Sequence, residues 1–174
     1  ALSGYDSNKG SNFFPLDSIH DLYKDDANNP HKHNCFFGMR YDIEFKIGDY
    51  LGDLNYSFTG DDDLWAILDA KKDGGQVVID LGGIHSALSK EVDLWKILLK
   101  NDNYTEQDKK EYADKDTVHT LTILYMERGA YESNCKMNFT LPNSKVINSE
   151  EAPKSLTFTK TSTSGTTLPG ATFT

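Results

Sequence analysis

Residues 39–47 constrain this chain more than any other stretch. Met39, Tyr41, Ile43, Phe45 and Ile47 alternate with Arg40, Asp42, Glu44 and Lys46, an apolar–charged period of two. Successive side chains point to opposite faces only in an extended strand, so the pattern predicts a strand with one buried face. The same alternation returns at Leu54, Tyr56 and Phe58 against Asn55, Ser57 and Thr59. Short apolar runs at 64–68 and 77–81 have the length of buried strands, and Asp73-Gly74-Gly75 between them marks a hairpin turn. Strands resume at Leu121, Ile123 and Tyr125, then at Met137, Phe139 and Leu141. One stretch breaks the pattern. Leu88, Val92, Trp95, Leu98 and Leu99 have helical spacing, and Thr105 with Asp108 forms a capping-box pattern for a second short helix. The expectation is an all-β fold, an antiparallel β-sandwich with a small helical insertion over 88–116 at one edge.

Charge narrows the partners. The 174 residues carry 18 Lys and Arg against 27 Asp and Glu, a net charge of −9. An acidic chain lacks the basic face that displaces counterions from phosphates, so neither nucleic acid nor an anionic membrane surface is expected as a partner. The 37% of hydrophobic residues are enough for one packed core. Cys35 and Cys135 stand 100 positions apart with no CxxC spacing, which argues against a thiolate zinc site. Residues 1–142 read as one domain. A polar stretch, 143–154, reads as a linker. Residues 155–174 are rich in Thr and Gly, hold one candidate strand from Leu156 to Thr161, and are too short to fold alone. His31 and His33 sit in a polar segment, as a solvated loop or as a metal-binding pair.

Three strings carry candidate chemistry. The first is Asp61-Asp62-Asp63, between two apolar strands. Adjacent carboxylates repel one another, which leaves a fully solvated turn or a turn neutralised by a cation. Hard oxygen ligands favour Ca²⁺, although the spacing of an EF-hand is absent. The second is Leu81-Gly82-Gly83-Ile84-His85, whose histidine is either a satisfied loop residue or a ligand. The third, 125–134, places Glu127, Arg128, Tyr131 and Asn134 in one loop, with a local Glu127–Arg128 pair as the plain explanation.

Taken together, these strings resemble the fibro-slime domain, a branch of the PA14-like β-sandwich modules of surface and secreted proteins. The resemblance rests on residues 58–69, 80–85 and 124–134, with Phe13-Phe14-Pro15-Leu16 and 33–39 in support. It implies a Ca²⁺ site on Asp61 and Asp62, joined by a cis peptide, with Glu127 from the second loop and Asp63 and Asn134 as further ligands. It implies Asp61, Asp62, His85 and Tyr131 as ligand-binding residues, with Trp65 either at the rim or in the core. The tail, Leu156-Thr-Phe-Thr-Lys-Thr161 and 168–173, resembles the first strands of a CnaB-type pilin domain, in which Lys160 would form an isopeptide bond with a strand absent here. The resemblance therefore implies a calcium-supported adhesion module on a bacterial cell surface, binding host or microbial glycans or surface proteins beside neighbouring CnaB-like domains. The alternative is a purely structural pilus or stalk module in which the ion only stabilises loops. No enzymatic activity is expected. In an extracellular setting the two cysteines, both flanking β segments, are expected to form a Cys35–Cys135 disulfide.

Overall fold

The computed structural model describes residues 5–6, 10–11, 13–17, 33–34, 36–83, 85–128 and 133–147. Among the described residues, ten strands and two short helices follow in chain order: β1 (Tyr5–Asp6), β2 (Gly10–Ser11), β3 (Phe37–Phe45), β4 (Asn55–Gly60), β5 (Asp63–Leu68), β6 (Gln76–Leu81), β7 (Leu88–Asp93), α1 (Leu94–Leu99), α2 (Glu106–Glu111), β8 (His119–Glu127), β9 (Cys135–Phe139) and β10 (Lys145–Ile147). β1 and β2 pair with each other. The others form a five-stranded sheet ordered β10-β3-β8-β5-β6 and a three-stranded sheet ordered β7-β4-β9, with every neighbouring pair antiparallel. The protein is an all-β sandwich, as the alternation predicts.

The alternating residues supply the core. Tyr56 and Phe58 of β4 and Met137 of β9 are buried together with Ile43 and Phe45 of β3, Leu64, Ala66 and Leu68 of β5, and Leu121, Ile123 and Tyr125 of β8. Burying a large apolar side chain contributes roughly 1.5–3 kcal/mol, so these positions dominate the folding free energy. Their burial also fixes the register, because a one-residue slip would turn each strand's apolar set outward.

The helical insertion is shorter than its spacing suggests. Leu88 to Asp93 form an edge strand, β7, paired with β4, and the helix begins only at Leu94. Asp93 explains the switch. Its backbone is extended (φ −90°, ψ 106°) and its side chain accepts the Trp95 N–H at 3.0 Å, so it ends the strand and caps the helix. The capping box of α2 is present as expected: Thr105 and Asp108 bond each other's backbone N–H groups. Trp95 is fully buried and donates its indole N–H to the Gly52 carbonyl at 2.9 Å, which docks the insertion on the sandwich. The stretch read as a linker is ordered at its start, where β10 pairs with β3 through Val146 and Ile43.

Candidate functional site

Strand register gathers the candidate residues at one end of the sandwich. β4 and β9 pair with Gly60 opposite Cys135, so the residues just beyond, Asp61 and Asn134, meet. β5 and β8 pair with Asp63 opposite Met126, which brings Glu127 and Arg128 beside the same turn. Three connections cross between the sheets at this end: β4 to β5, β6 to β7, and β8 to β9. The three aspartates touch all of them. Asp61 accepts the Asn134 backbone N–H at 2.9 Å and its side-chain amide at 3.2 Å. Asp62 accepts the Arg128 N–H at 3.0 Å. Asp63, only 4% exposed, accepts the Gly83 N–H at 2.7 Å and takes a two-pronged bond from the Arg128 guanidinium at 2.7 and 2.9 Å. Gly60 makes this approach possible, since a Cβ there would collide with the Asn134 carbonyl oxygen and the Phe58 ring.

The electrostatics follow from this crowding. Glu127 is 1% exposed, accepts the Tyr125 hydroxyl at 3.1 Å and shares a hydrogen bond with Asp62. Two carboxyl groups can share a hydrogen bond only when one carries a proton. Burial pushes the Asp62 carboxyl above its ordinary range. The bonds from Glu127 and the Arg128 N–H oppose that push, and the charges of Asp61 and Asp63 add to it. Cys135 lies just behind. It is a free, buried thiol pushed up to about 12 by burial and by the charges of Glu127, Asp61 and Asp62. A hollow of about 310 Å³ lies alongside, lined by Thr59, Ala87, Asn134, Cys135 and Lys136.

The side chains expected as calcium ligands make other contacts in this structure. Among the described residues no group of three or more His, Cys, Asp or Glu side chains is placed to hold a metal ion. The carboxylates of the turn instead bind N–H groups, a guanidinium and a shared proton. Among the described residues every peptide bond is trans, so Asp61 and Asp62 are not joined by a cis peptide. Arg128 pairs with Asp63 rather than with its neighbour Glu127. His85 places both ring nitrogens on backbone carbonyls of its own connection, Leu81 at 3.2 Å and Ser86 at 2.9 Å, away from the aspartates. Trp65 packs against Gly82, where a Cβ would come within 2.6 Å of its ring. The expected disulfide is not formed, since Cys135 is free; Cys35 lies outside the described residues. Tyr131, Lys160 and His31 also lie outside them. His33 stacks on Phe14 with ring centroids 3.9 Å apart and bonds Asp17 at 2.6 Å.

A second carboxylate cluster carries no sequence signal of its own. Asp69, just past β5, sits in the left-handed region with φ 53°. It accepts from the Thr120 N–H at 3.0 Å, His119 at 2.8 Å and Lys72 at 3.0 Å. Burial alone would raise its carboxyl. The hydrogen bonds from His119, Thr120 and Lys72, together with the charge of His119, outweigh burial and hold it below the ordinary range.

The class of molecule is thus an antiparallel β-sandwich module whose sheet crossovers are bound by aspartates at one end. No family model and no solved structure matches the chain. It is similar to proteins of Dictyostelium discoideum. Protein psiI is 35% identical over 98 residues, which are 53% of this chain and 12% of psiI. Protein psiP is 32% identical over 107 residues, 60% of this chain and 12% of psiP. Protein psiC is 31% identical over 128 residues, 71% of this chain and 20% of psiC. The chain therefore spans about an eighth of the length of the first two relatives. These relatives are eukaryotic, and they overturn the reading as a bacterial fibro-slime and CnaB-type pilus or stalk protein, and with it calcium-supported bacterial adhesion.

Proposed function

We propose that this chain is a non-catalytic β-sandwich module of a longer protein, and that its aspartate-bound end holds a contact segment for a partner. The observation that supports this reading is the attachment of both flanks of 129–132 to one turn. Asp62 and Asp63 hold Arg128 on the near side, and Asp61 holds Asn134 on the far side. A turn bound from three connections holds the residues around it in place before a partner arrives, which lowers the cost of recognition. The hollow beside it, lined by Thr59, Ala87, Asn134, Cys135 and Lys136, offers a concave surface next to that base.

Replacing residues 129–132 by Gly-Ser-Gly-Ser tests this. The expected result is an unchanged melting temperature together with loss of the ligands that the native chain retains on a glycan array or from a displayed peptide library. Equal ligand profiles for the two chains would overturn the proposal, and so would unfolding of the replacement.

A further inference from the structure

Three triplets of the form Asn-x-Ser/Thr stand in the chain: Asn55-Tyr56-Ser57, Asn103-Tyr104-Thr105 and Asn138-Phe139-Thr140. In eukaryotic cells this triplet is the acceptor for N-linked oligosaccharide, and the relatives of this chain are eukaryotic. Such triplets also arise by chance, so the sequence alone decides nothing. The fold separates them. A modified asparagine has to leave a branched oligosaccharide in solvent, and its amide nitrogen has to give up one N–H.

Asn138 and Asn103 meet both demands. Asn138 is exposed on β9, at the edge of the three-stranded sheet, opposite Ser57. Its neighbours on the outward face are polar: Ser57, Thr59, Ser89, Glu91 and Lys136. Asn103 is exposed in the connection between α1 and α2. Its flanks are fixed, since its backbone N–H donates to the Asn101 side chain at 2.9 Å and the Tyr104 hydroxyl donates to Asp93 at 2.8 Å. Neither side-chain amide is engaged by another described residue. Asn55 meets neither demand. It is half-buried, and its amide donates to Glu91 at 2.9 Å. The Thr140 N–H on its carbonyl, at 2.8 Å, sets it diagonal to Asn138, a spacing of about 7–8 Å. An oligosaccharide on Asn138 fills the space that one on Asn55 needs.

We infer that Asn103 and Asn138 carry N-linked glycans and that Asn55 does not. In the transfer, Nδ2 of each asparagine attacks the anomeric carbon of an oligosaccharide held on a polyprenyl diphosphate. The carbon–oxygen bond to the diphosphate breaks, the diphosphate leaves with the electron pair, and Nδ2 passes one proton to a base of the transferring enzyme. Nothing is oxidised or reduced. Asn55 begins β4 and pairs with Asp93, whereas β4 ends at the aspartate turn, so both glycans stand toward the opposite end of this sheet. They cover its outward face and the β9 edge, which blocks pairing with a strand of another molecule. The inference does not depend on the contact segment proposed above.

The test recovers the full chain from its own cells and removes N-linked glycans enzymatically in heavy-oxygen water, which converts each occupied asparagine to a labelled aspartate. Mass spectrometry of the peptides is expected to find the label at Asn103 and Asn138 and none at Asn55. Asn103→Gln and Asn138→Gln, expressed in the same cells, should each lose one step of gel mobility, and the double variant should lose both. Thr140→Ser keeps the triplet and should keep the glycan on Asn138, whereas Thr140→Ala should lose it. Unlabelled Asn103 and Asn138 would overturn the inference. Label at Asn55 equal to that at Asn138, or a mobility step that survives in the double variant, would overturn the assignment to these two positions.

Discussion

β5 ends in an aspartate environment at each extremity, and the two are opposites. At its start, Asp61, Asp62 and Asp63 crowd together with Glu127, and the Asp62 carboxyl is raised. At its far end, Asp69 is surrounded by His119, Lys72 and a backbone N–H, and its carboxyl is lowered. Both groups are partly buried, so burial does not distinguish them. The sign of the neighbouring charge does. The far corner is a finished electrostatic unit that contributes stability. The near corner trades stability for bringing three sheet crossovers to one point.

The contrast can be broken from either side. Asp69→Ala should have the largest effect, about 3 kcal/mol of destabilisation in urea unfolding, because it leaves the nearly buried His119 and the Thr120 N–H without their acceptor. Asp63→Ala should cost about 2 kcal/mol, less because the Arg128 side chain is 44% exposed and water can take over part of the guanidinium. If its unfolding midpoint matches that of the native chain, the binding of the crossovers by Asp63 is not energetic. Asp62→Asn should act in the other direction. The amide can still accept the Arg128 N–H and can donate to Glu127, while the repulsion disappears. A gain of about 1 kcal/mol, read as a melting temperature higher by about 2–4 °C near pH 7, is expected.

Acid titration sharpens the same comparison. A raised folded pKa means that the folded chain holds its proton more tightly than the unfolded chain does. The contribution of Asp62 is therefore favourable below the unfolded value of about 3.9 and is lost as pH rises through its raised pKa. The advantage of Asp62→Asn should shrink as pH falls toward 4. Asp69 behaves inversely. Its contribution is present above about 3.9 and disappears as pH falls through its lowered pKa, so the deficit of Asp69→Ala should narrow only at still lower pH. Urea midpoints of the three chains between pH 7 and pH 3 check both signs. Parallel curves would remove the contrast.

The sandwich was legible because β3 and β4 alternate with one buried face, and alternation has few other physical causes. β7 was not, because Leu88 and Val92 continue the helical spacing of Trp95 and Leu99, and only the Asp93 cap separates strand from helix. β10 has three residues, and its Val146 is 53% exposed, so no inward alternation marks it. At the candidate site, the grouping of Asp61, Asp62, Asp63, Glu127 and Asn134 followed from the family resemblance rather than from any spacing in the residues, and strand register brings them to one end. Their chemistry was not legible. A row of carboxylates reads as a cation site, whereas the partners of Asp63, the Arg128 guanidinium and the Gly83 N–H, come from other connections and leave no mark beside it in sequence. Asp69 and His119 stand fifty positions apart in sequence, and no local pattern joins them.

Cys135 gives this end of the molecule a clock. With its thiol pushed up to about 12, the reactive thiolate is scarce at pH 8, and that sulfur is shut inside the core. In a Cys35→Ser chain, alkylation at Cys135 should therefore await the moment when β9 peels from β4. The labelling rate would then count openings of that strand pair, the one whose register sets Asp61 against Asn134.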